Sequence, residues 1–306
     1  MSTILGQNSY GKSENRVVRI VREGPTHHIK DLTVSIALSG DMDEVHYSGS
    51  NAGVLPTDTA KNTVYAFAKE HGIDSAEQFG MRLARHFVTS QPGLRRARVQ
   101  VEEHAWERVE TTGPTCHSFV RSGRETRVGR IGYDGERWEI VSGLQDLTVL
   151  NSTDSEFRGY VKDAYTTLEE TSDRILATEI SARWRYRWSR DGEPAPDWDR
   201  AYERARTNIL RAFAGTYSRS LQQTLYAMGS HVIERSGGEG GEGGEVDEIR
   251  LSLPNKHHFL VDLTPFGLTN DHEVYLAADR PYGLIEATVL RAGAPARIPA
   301  DLLRDR

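Results

Sequence analysis

The sequence predicts an α+β fold of antiparallel hairpins backed by helices, arranged as two units in tandem, and three observations predict it. Runs that alternate apolar and polar side chains are joined by turns containing Gly, Pro or Asp, which is the pattern of hairpins with one buried face. Between the hairpins lie segments with apolar residues three and four positions apart, opened by capping residues and closed by glycine, as in helices lying on a sheet. The order hairpin, two helices, hairpin occurs in each half of a chain whose 306 residues exceed what one core usually organises. The units are placed at residues 1–134 and 135–306, a repeat of pattern without evident identity between the halves.

The elements follow in order. Residues 16–21 and 32–38 flank a connector containing Gly24-Pro25 and predict a long antiparallel hairpin. Lys12 falls just before its first strand, where a lysine is ordinarily a solvated surface charge. Pro56-Thr57-Asp58 opens a helix that runs through Val64, Phe67 and Ala68 and stops at Gly72, with Thr57 or Asp58 as N-cap. A second helix starts at Asp74 or Ser75 and carries Phe79, Leu83 and Phe87 on one stripe. Strands over 98–108 and 115–121 flank a turn at Thr112-Gly113-Pro114, and 128–131 pairs with 138–141 across Asp134-Gly135. The second half reads as a strand over 175–188, helices over 198–213 and 220–234, and a hairpin of 246–253 with 257–263.

Two stretches need separate comment. Residues 236–245 interleave glycine pairs with glutamates and read as a flexible loop. The glutamates repel phosphate and no Gly-Lys-Ser/Thr follows, so the loop is not a phosphate cradle. In 183–188 the arginines Arg183, Arg185 and Arg187 take one strand face and Trp184, Tyr186 and Trp188 the other. The ordinary reading is aromatics packed on helices with arginines in solvent or at a subunit contact; the other is a base-stacking surface with basic neighbours.

Composition excludes several classes. Charged residues make up 27% of the chain, and no apolar run approaches the ~18 residues a membrane span needs. The first ten residues are polar and carry no apolar signal segment, and the single cysteine, Cys116, forms no internal disulfide. A net charge of -6 argues against a nucleic-acid partner, because phosphate neutralisation needs clustered Lys and Arg. The last residues, 303–306, lack a Ser-Lys-Leu peroxisomal address. A soluble cytoplasmic protein with neither membrane nor nucleic acid as partner is the expectation. His27-His28 and His257-His258 are neighbours that diverge on a strand, and no His-Glu-x-x-His, paired Cys-x-x-Cys, dinucleotide fingerprint or Walker loop occurs. No metal and no common cofactor is expected.

The stretch 251–262 sets polar groups inside an apolar strand pattern: Asn255, His257, Phe259 and Val261 share one face, so an amide and an imidazole point the same way. Taken alone, that pair reads as a polar strand end satisfied by hydrogen bonds. The string Ser252-Leu253-Pro254-Asn255-Lys256-His257 is joined by Tyr10-Gly11-Lys12, by Thr57-Asp58-Thr59-Ala60-Lys61-Asn62-Thr63, by Leu147-Thr148-Val149-Leu150-Asn151-Ser152-Thr153 and by Ser155-Glu156-Phe157. Tyr165-Thr166-Thr167-Leu168, Asp173-Arg174-Ile175-Leu176-Ala177-Thr178 and Ser220-Leu221-Gln222 complete the set. Each is a short match, but in this order and at these separations they are specific, and the chain resembles the urate oxidase (uricase) family from about Gly6 to about Ala287.

The resemblance implies a tunnelling fold, in which tandem antiparallel sheet units backed by helices assemble as a homotetramer around a central β-barrel tunnel. Active sites in that family lie at subunit interfaces, so Lys12 and Thr57 would come from one chain and Phe157, Arg174, Leu221, Gln222, Asn255 and His257 from its neighbour. The implied reaction is cofactor-independent oxidation of urate by dioxygen to 5-hydroxyisourate and hydrogen peroxide. Arg174 and Gln222 would hold one edge of the flat anion, since a guanidinium fork and an amide suit carbonyl and N–H groups along an edge. Phe157 would stack on the ring, and the backbone N–H groups of Asp58 and Leu221 would complete the cradle. Lys12, Thr57 and His257 would form a proton relay, with Thr57 and Asn255 holding dioxygen, peroxide or water; a base role for Lys12 needs an amine kept neutral by partial desolvation. Read singly, Arg174 is a salt-bridging surface residue, Gln222 an exposed first-turn residue, Phe157 core and Thr57 a cap. Two alternatives stay open on the residues: a pterin-processing tunnelling-fold enzyme, and a non-catalytic purine-binding oligomer.

Overall fold

The structure, a computed structural model, describes residues 3–110, 117–123, 125–237 and 244–303. Cys116, the turn expected at Thr112-Gly113-Pro114, most of the Gly/Glu stretch and the last three residues lie outside the described residues. The chain divides into two compact units, one of Met1–Gly143 with Arg185–Tyr202 and one of Leu144–Trp184 with Glu203–Arg306.

In the first unit β1 (Tyr10–Glu23) and β2 (Thr26–Gly40) form the expected hairpin, longer than its apolar alternation suggests. A short helix α1 (Asp43–Tyr47) precedes α2 (Thr57–Glu70) and α3 (Ala76–Ser90), and β3 (Leu94–Glu103) then pairs with β2. The ribbon of β4 (Trp106–Arg108) and β5 (Phe119–Arg121) forms a separate two-stranded sheet, after which β6 (Thr126–Tyr133) pairs with β3 and leads into β7 (Trp138–Asn151). Leu32, Val34, Ile36 and Leu38 of β2 face Val99 and Val101 of β3, Ile131 of β6 and the Phe79, Leu83, Phe87 stripe of α3, all buried. Removing such residues from water contributes ~1.5–3 kcal/mol each. Glu77 of α3, fully buried, accepts from Arg127 of β6 at 2.6 Å, which pins helix to sheet. Burial alone would lower the Arg127 pKa, yet Glu77, Glu103 and Asp199 outweigh it and raise it.

The second unit takes up β7 from Leu144, then β8 (Leu176–Tyr186) as far as Trp184, α4 (Trp198–Gly215) from Glu203, α5 (Leu221–Glu234), β9 (Val246–Leu260) and β10 (Tyr275–Leu290). Its strands lie in the order β7-β8-β9-β10, and α5 packs on β9 and β10. Apart from α1 and the β4–β5 ribbon, the order strand, strand, helix, helix, strand, strand occurs twice. No helix among the described residues is long and apolar enough to cross a membrane.

Several expectations need correction. The strand expected over 98–108 ends at Glu103 and resumes at Trp106 in the separate ribbon. Lys12 lies inside β1 rather than before it. The N-cap of α2 is Pro56, not Thr57 or Asp58. The hairpin expected from 246–253 and 257–263 is one continuous strand, β9, whose partner β10 was not foreseen. Pro254 cannot donate to a ladder, yet the Thr178 hydroxyl of β8 donates to its carbonyl at 2.8 Å, and the strand runs on. Trp184 and Tyr186 of β8 and Trp188 just beyond its end are buried, so no base-stacking surface forms. The arginines divide: Arg187 is exposed as expected, whereas Arg185 is 7% exposed and Arg183 is partly buried and donates to the Leu144 carbonyl and Gln145.

Candidate active site

The expected site residues fall into two groups, one on each unit. In the first unit a β-bulge interrupts the β1–β2 register between Lys12 and Asn15, with Glu14 at φ 57°. The buried Asn15 amide holds the distortion open, donating to the Lys12 and Val34 carbonyls at 3.3 and 2.9 Å. A bulge re-aims the side chain beside it, and here that side chain is Lys12, whose Nζ has no hydrogen-bond or ion-pair partner among the described residues. Gly11 explains the residue before it: a Cβ there would stand 1.9 Å from the Ile36 carbonyl oxygen and force β1 off β2. The Tyr10 hydroxyl accepts from the Leu55 backbone N–H at 3.0 Å, tying β1 to the segment that leads into α2. Burial raises the Tyr10 pKa, and the Leu55 N–H partly offsets this.

α2 packs against β1. Its first residues, Thr57 and Asp58, have N–H groups without intrahelical acceptors, at the positive end of the helix dipole. With Pro56 as N-cap, the partly buried Thr57 hydroxyl is released from capping and is unpartnered among the described residues. The Asp58 carboxylate is turned aside: it pairs with Lys61 and accepts from Asn62, and these contacts, the Lys61 hydrogen bond foremost, hold its pKa down. Only its backbone N–H remains as a donor toward an anion.

In the second unit Arg174 lies with its guanidinium carbon 5.2 Å from the centre of the Phe157 ring. Its Nε donates to the Ser155 hydroxyl at 3.2 Å, and no carboxylate pairs with it among the described residues. Burial lowers its pKa, the mark of a cation stripped of water without a counter-charge. The salt-bridge reading of Arg174 is thereby removed. Phe157 is not core: it is partly exposed, bridges to Thr171 and stacks on Tyr160 with centroids 4.8 Å apart. Tyr160 was not picked out in the sequence, where nothing but its spacing of three from Phe157 hints at it.

Leu221 and Gln222 open α5, whose N-cap Ser220 accepts from the Gln223 N–H at 3.2 Å. Gln222 is exposed with its amide unpartnered among the described residues, while the Leu221 side chain is buried and leaves its N–H at the helix start. Ser220→Ala is expected to cost ~1 kcal/mol, read as a lower denaturation midpoint; an unchanged midpoint would show that the cap is not holding this turn.

Asn255, His257 and Phe259 share a face of β9, with the His257 and Phe259 rings 5.9 Å apart. The His257 pKa is lowered by burial first and by the Arg174 charge second, so at neutral pH its imidazole is neutral and able both to donate and to accept. The dependence on Arg174 also places these two residues in one electrostatic neighbourhood. A cavity of about 500 Å³ lies elsewhere, lined by Glu179, Ser252, Pro254, Lys256 and Tyr282. These β9 residues alternate with Asn255 and His257, so strand geometry sends them to the opposite face and none of the expected site residues lines that cavity. Among the described residues no three His, Cys, Asp or Glu side chains converge as a metal-holding group.

The doubled order of paired strands and paired helices is that of a tunnelling-fold protein. The uricase family model matches residues 8–132 and 140–286. The uricase of Arthrobacter globiformis is 48% identical over 296 residues, covering 97% of this chain and 93% of that protein. The rabbit (Oryctolagus cuniculus) uricase is 36% identical over 292 residues, covering 93% and 94%. The crystal structure of the A. globiformis uricase superposes with a TM-score of 0.88 at 47% identity, over 98% of this chain and 99% of that one. The chain belongs to the uricase family.

Proposed function

We propose that the protein oxidises urate with dioxygen and water to 5-hydroxyisourate and hydrogen peroxide, using its own side chains and no cofactor. The observation that carries the site is Arg174, a desolvated guanidinium without a carboxylate partner among the described residues, beside an aromatic ring and a neutral histidine. That is a receptor for a flat anion. Arg174 and Gln222 hold one edge of urate, the Leu221 and Asp58 N–H groups take its oxygens, and Phe157, extended by Tyr160, supplies the stacking surface.

Two electrons pass from urate to dioxygen, which leaves as peroxide with two protons. Because both oxygens of dioxygen end in peroxide, the new hydroxyl oxygen comes from water. Lys12, Thr57 and His257 move the protons: Lys12 draws one from the bound purine through the Thr57 hydroxyl, which makes the purine electron-rich enough to reduce dioxygen, and His257 exchanges with Lys12. Asn255 and Thr57 hold dioxygen and then water over the ring. The residues stand on two units, and the proposal assigns Lys12, Thr57 and Asp58 of one copy and the rest of a neighbouring copy to one site, in a homotetramer. The division into units at 134 and 135 belongs to the same reading, supported by the repeated element order and by a family match in two segments on either side of it. A cytoplasmic location rests on the polar composition and the single cysteine.

The test is the loss of urate ultraviolet absorbance with chelator-treated protein, with and without oxygen, alongside a peroxide assay. Oxygen-dependent loss with one peroxide per urate is expected. Urate that binds but persists under air would overturn the proposal.

A further inference from the structure

We propose that Ser155, Ser218 and Thr224 are positioning residues for the urate site, forming a buried hydroxyl chain that fixes the Arg174 guanidinium relative to the first turn of α5. All three are fully buried, where hydroxyls are costly unless bonded. Ser155 holds Arg174 twice: its carbonyl accepts the Arg174 backbone N–H at 2.9 Å and its hydroxyl accepts Nε at 3.2 Å. Ser155 is then clamped to Ser218 by a parallel bridge, in which Ser218 N–H donates to Asp154 and Glu156 N–H donates to Ser218, at 2.9 and 2.8 Å. From Ser218 the chain enters α5. Its hydroxyl donates to the Ser220 carbonyl at 3.1 Å and accepts from the Thr224 hydroxyl at 2.8 Å.

The geometry has a chemical consequence. With Nε–H occupied by Ser155, the N–H groups on Nη1 and Nη2 have no acceptor among the described residues and are left as a two-pronged fork for a ligand. The same chain sets where Gln222 stands, because Gln222 lies between Ser220 and Thr224 on the anchored turn. Two donors that must meet one edge of a rigid ring are thus held by one network rather than by two independent loops. Preorganisation of this kind raises affinity by removing the cost of ordering the groups on binding.

The inference rests on the reading of Arg174 as a urate-holding group, and the experiment separates the two. Anaerobic urate titration, in which no turnover occurs, gives Kd for wild type, Ser155→Ala, Arg174→Gln and the double variant, with steady-state KM and kcat measured in air. Ser155→Ala is expected to raise Kd and KM by roughly tenfold with kcat nearly unchanged, and the double variant to bind no more weakly than Arg174→Gln. Thr224→Val should also raise Kd while Thr224→Ser restores it, which keeps the test open if Ser155→Ala does not fold. An unchanged Kd in Ser155→Ala and Thr224→Val, or full additivity with Arg174→Gln, overturns the positioning role and leaves the urate reading standing. An unchanged Kd in Arg174→Gln overturns both.

Discussion

Lys12→Met is expected to lower urate turnover by about two to four orders of magnitude while leaving anaerobic urate affinity within a factor of about three. Methionine keeps the length and apolar stem of lysine and removes the amine, so the bulge, the Tyr10–Leu55 tie and the Gly11 approach that place this side chain all survive the change. What is lost, on the proposed mechanism, is the base of the relay; the Asp58 carboxylate is paired with Lys61 and does not stand in for it. Positioned acid–base groups contribute on this scale because the proton must leave as electron density rises in the transition state. Affinity is expected to change little because the proposed anion contacts are made by Arg174, Gln222 and the Leu221 and Asp58 N–H groups, none of which the substitution removes. Absorbance decay in single turnover and the anaerobic titration read the two quantities separately; a variant with unchanged kcat would remove Lys12 from the relay.

The second large effect lies in binding. Arg174→Gln is expected to raise the urate Kd by roughly ten- to a hundredfold, the range for a hydrogen-bonded charge contact of ~1.5–3 kcal/mol. Two opposing terms decide the size. The wild-type protein already bears the cost of a half-buried cation, seen in the lowered Arg174 pKa, so bound urate gains the full charge–charge contact without further desolvation of the arginine. Glutamine keeps a donor on the Phe157 side but neither the fork nor the charge. Without that charge the folded protein itself gains, so the variant should denature no earlier than wild type while binding urate more weakly. A drop in stability with unchanged Kd would mean that Arg174 serves the fold and not the ligand.

How far the sequence reveals this molecule varies by element. α3 was legible because Phe79, Leu83 and Phe87 recur at helical spacing behind a serine cap, and all three are buried as that spacing requires. The β1–β2 hairpin was legible from alternation at its centre, but its ends carry Lys12 and the bulge, where alternation is lost. β10 was missed because Asp279-Arg280-Pro281-Tyr282-Gly283 reads as a turn; the strand passes through it by shifting register between Ala278 and Gly283. For the site, the residue types were picked out by resemblance, whereas their states were not readable in advance. Whether Arg174 has a carboxylate beside it, or Thr57 is relieved of capping by Pro56, depends on chain segments distant in sequence. The hydroxyl chain is the extreme case, since Ser155, Ser218 and Thr224 acquire meaning only when a bridge brings residues 155 and 218 side by side.

The placement of Lys12 and Arg174 on different units carries a consequence in the language of genetics. If each working site joins one copy's Lys12 to a neighbour's Arg174, two crippled alleles complement each other inside one assembly. Lys12→Met and Arg174→Gln chains, unfolded and refolded together in equal amounts, would form about a quarter of their sites from two intact halves under random mixing within a closed symmetric oligomer. At urate concentrations well below the Kd of Arg174→Gln, the mixture would regain about that fraction of wild-type activity, and the separately refolded proteins pooled afterwards would not. A site completed within one chain forbids this, because every chain in the mixture carries a lesion.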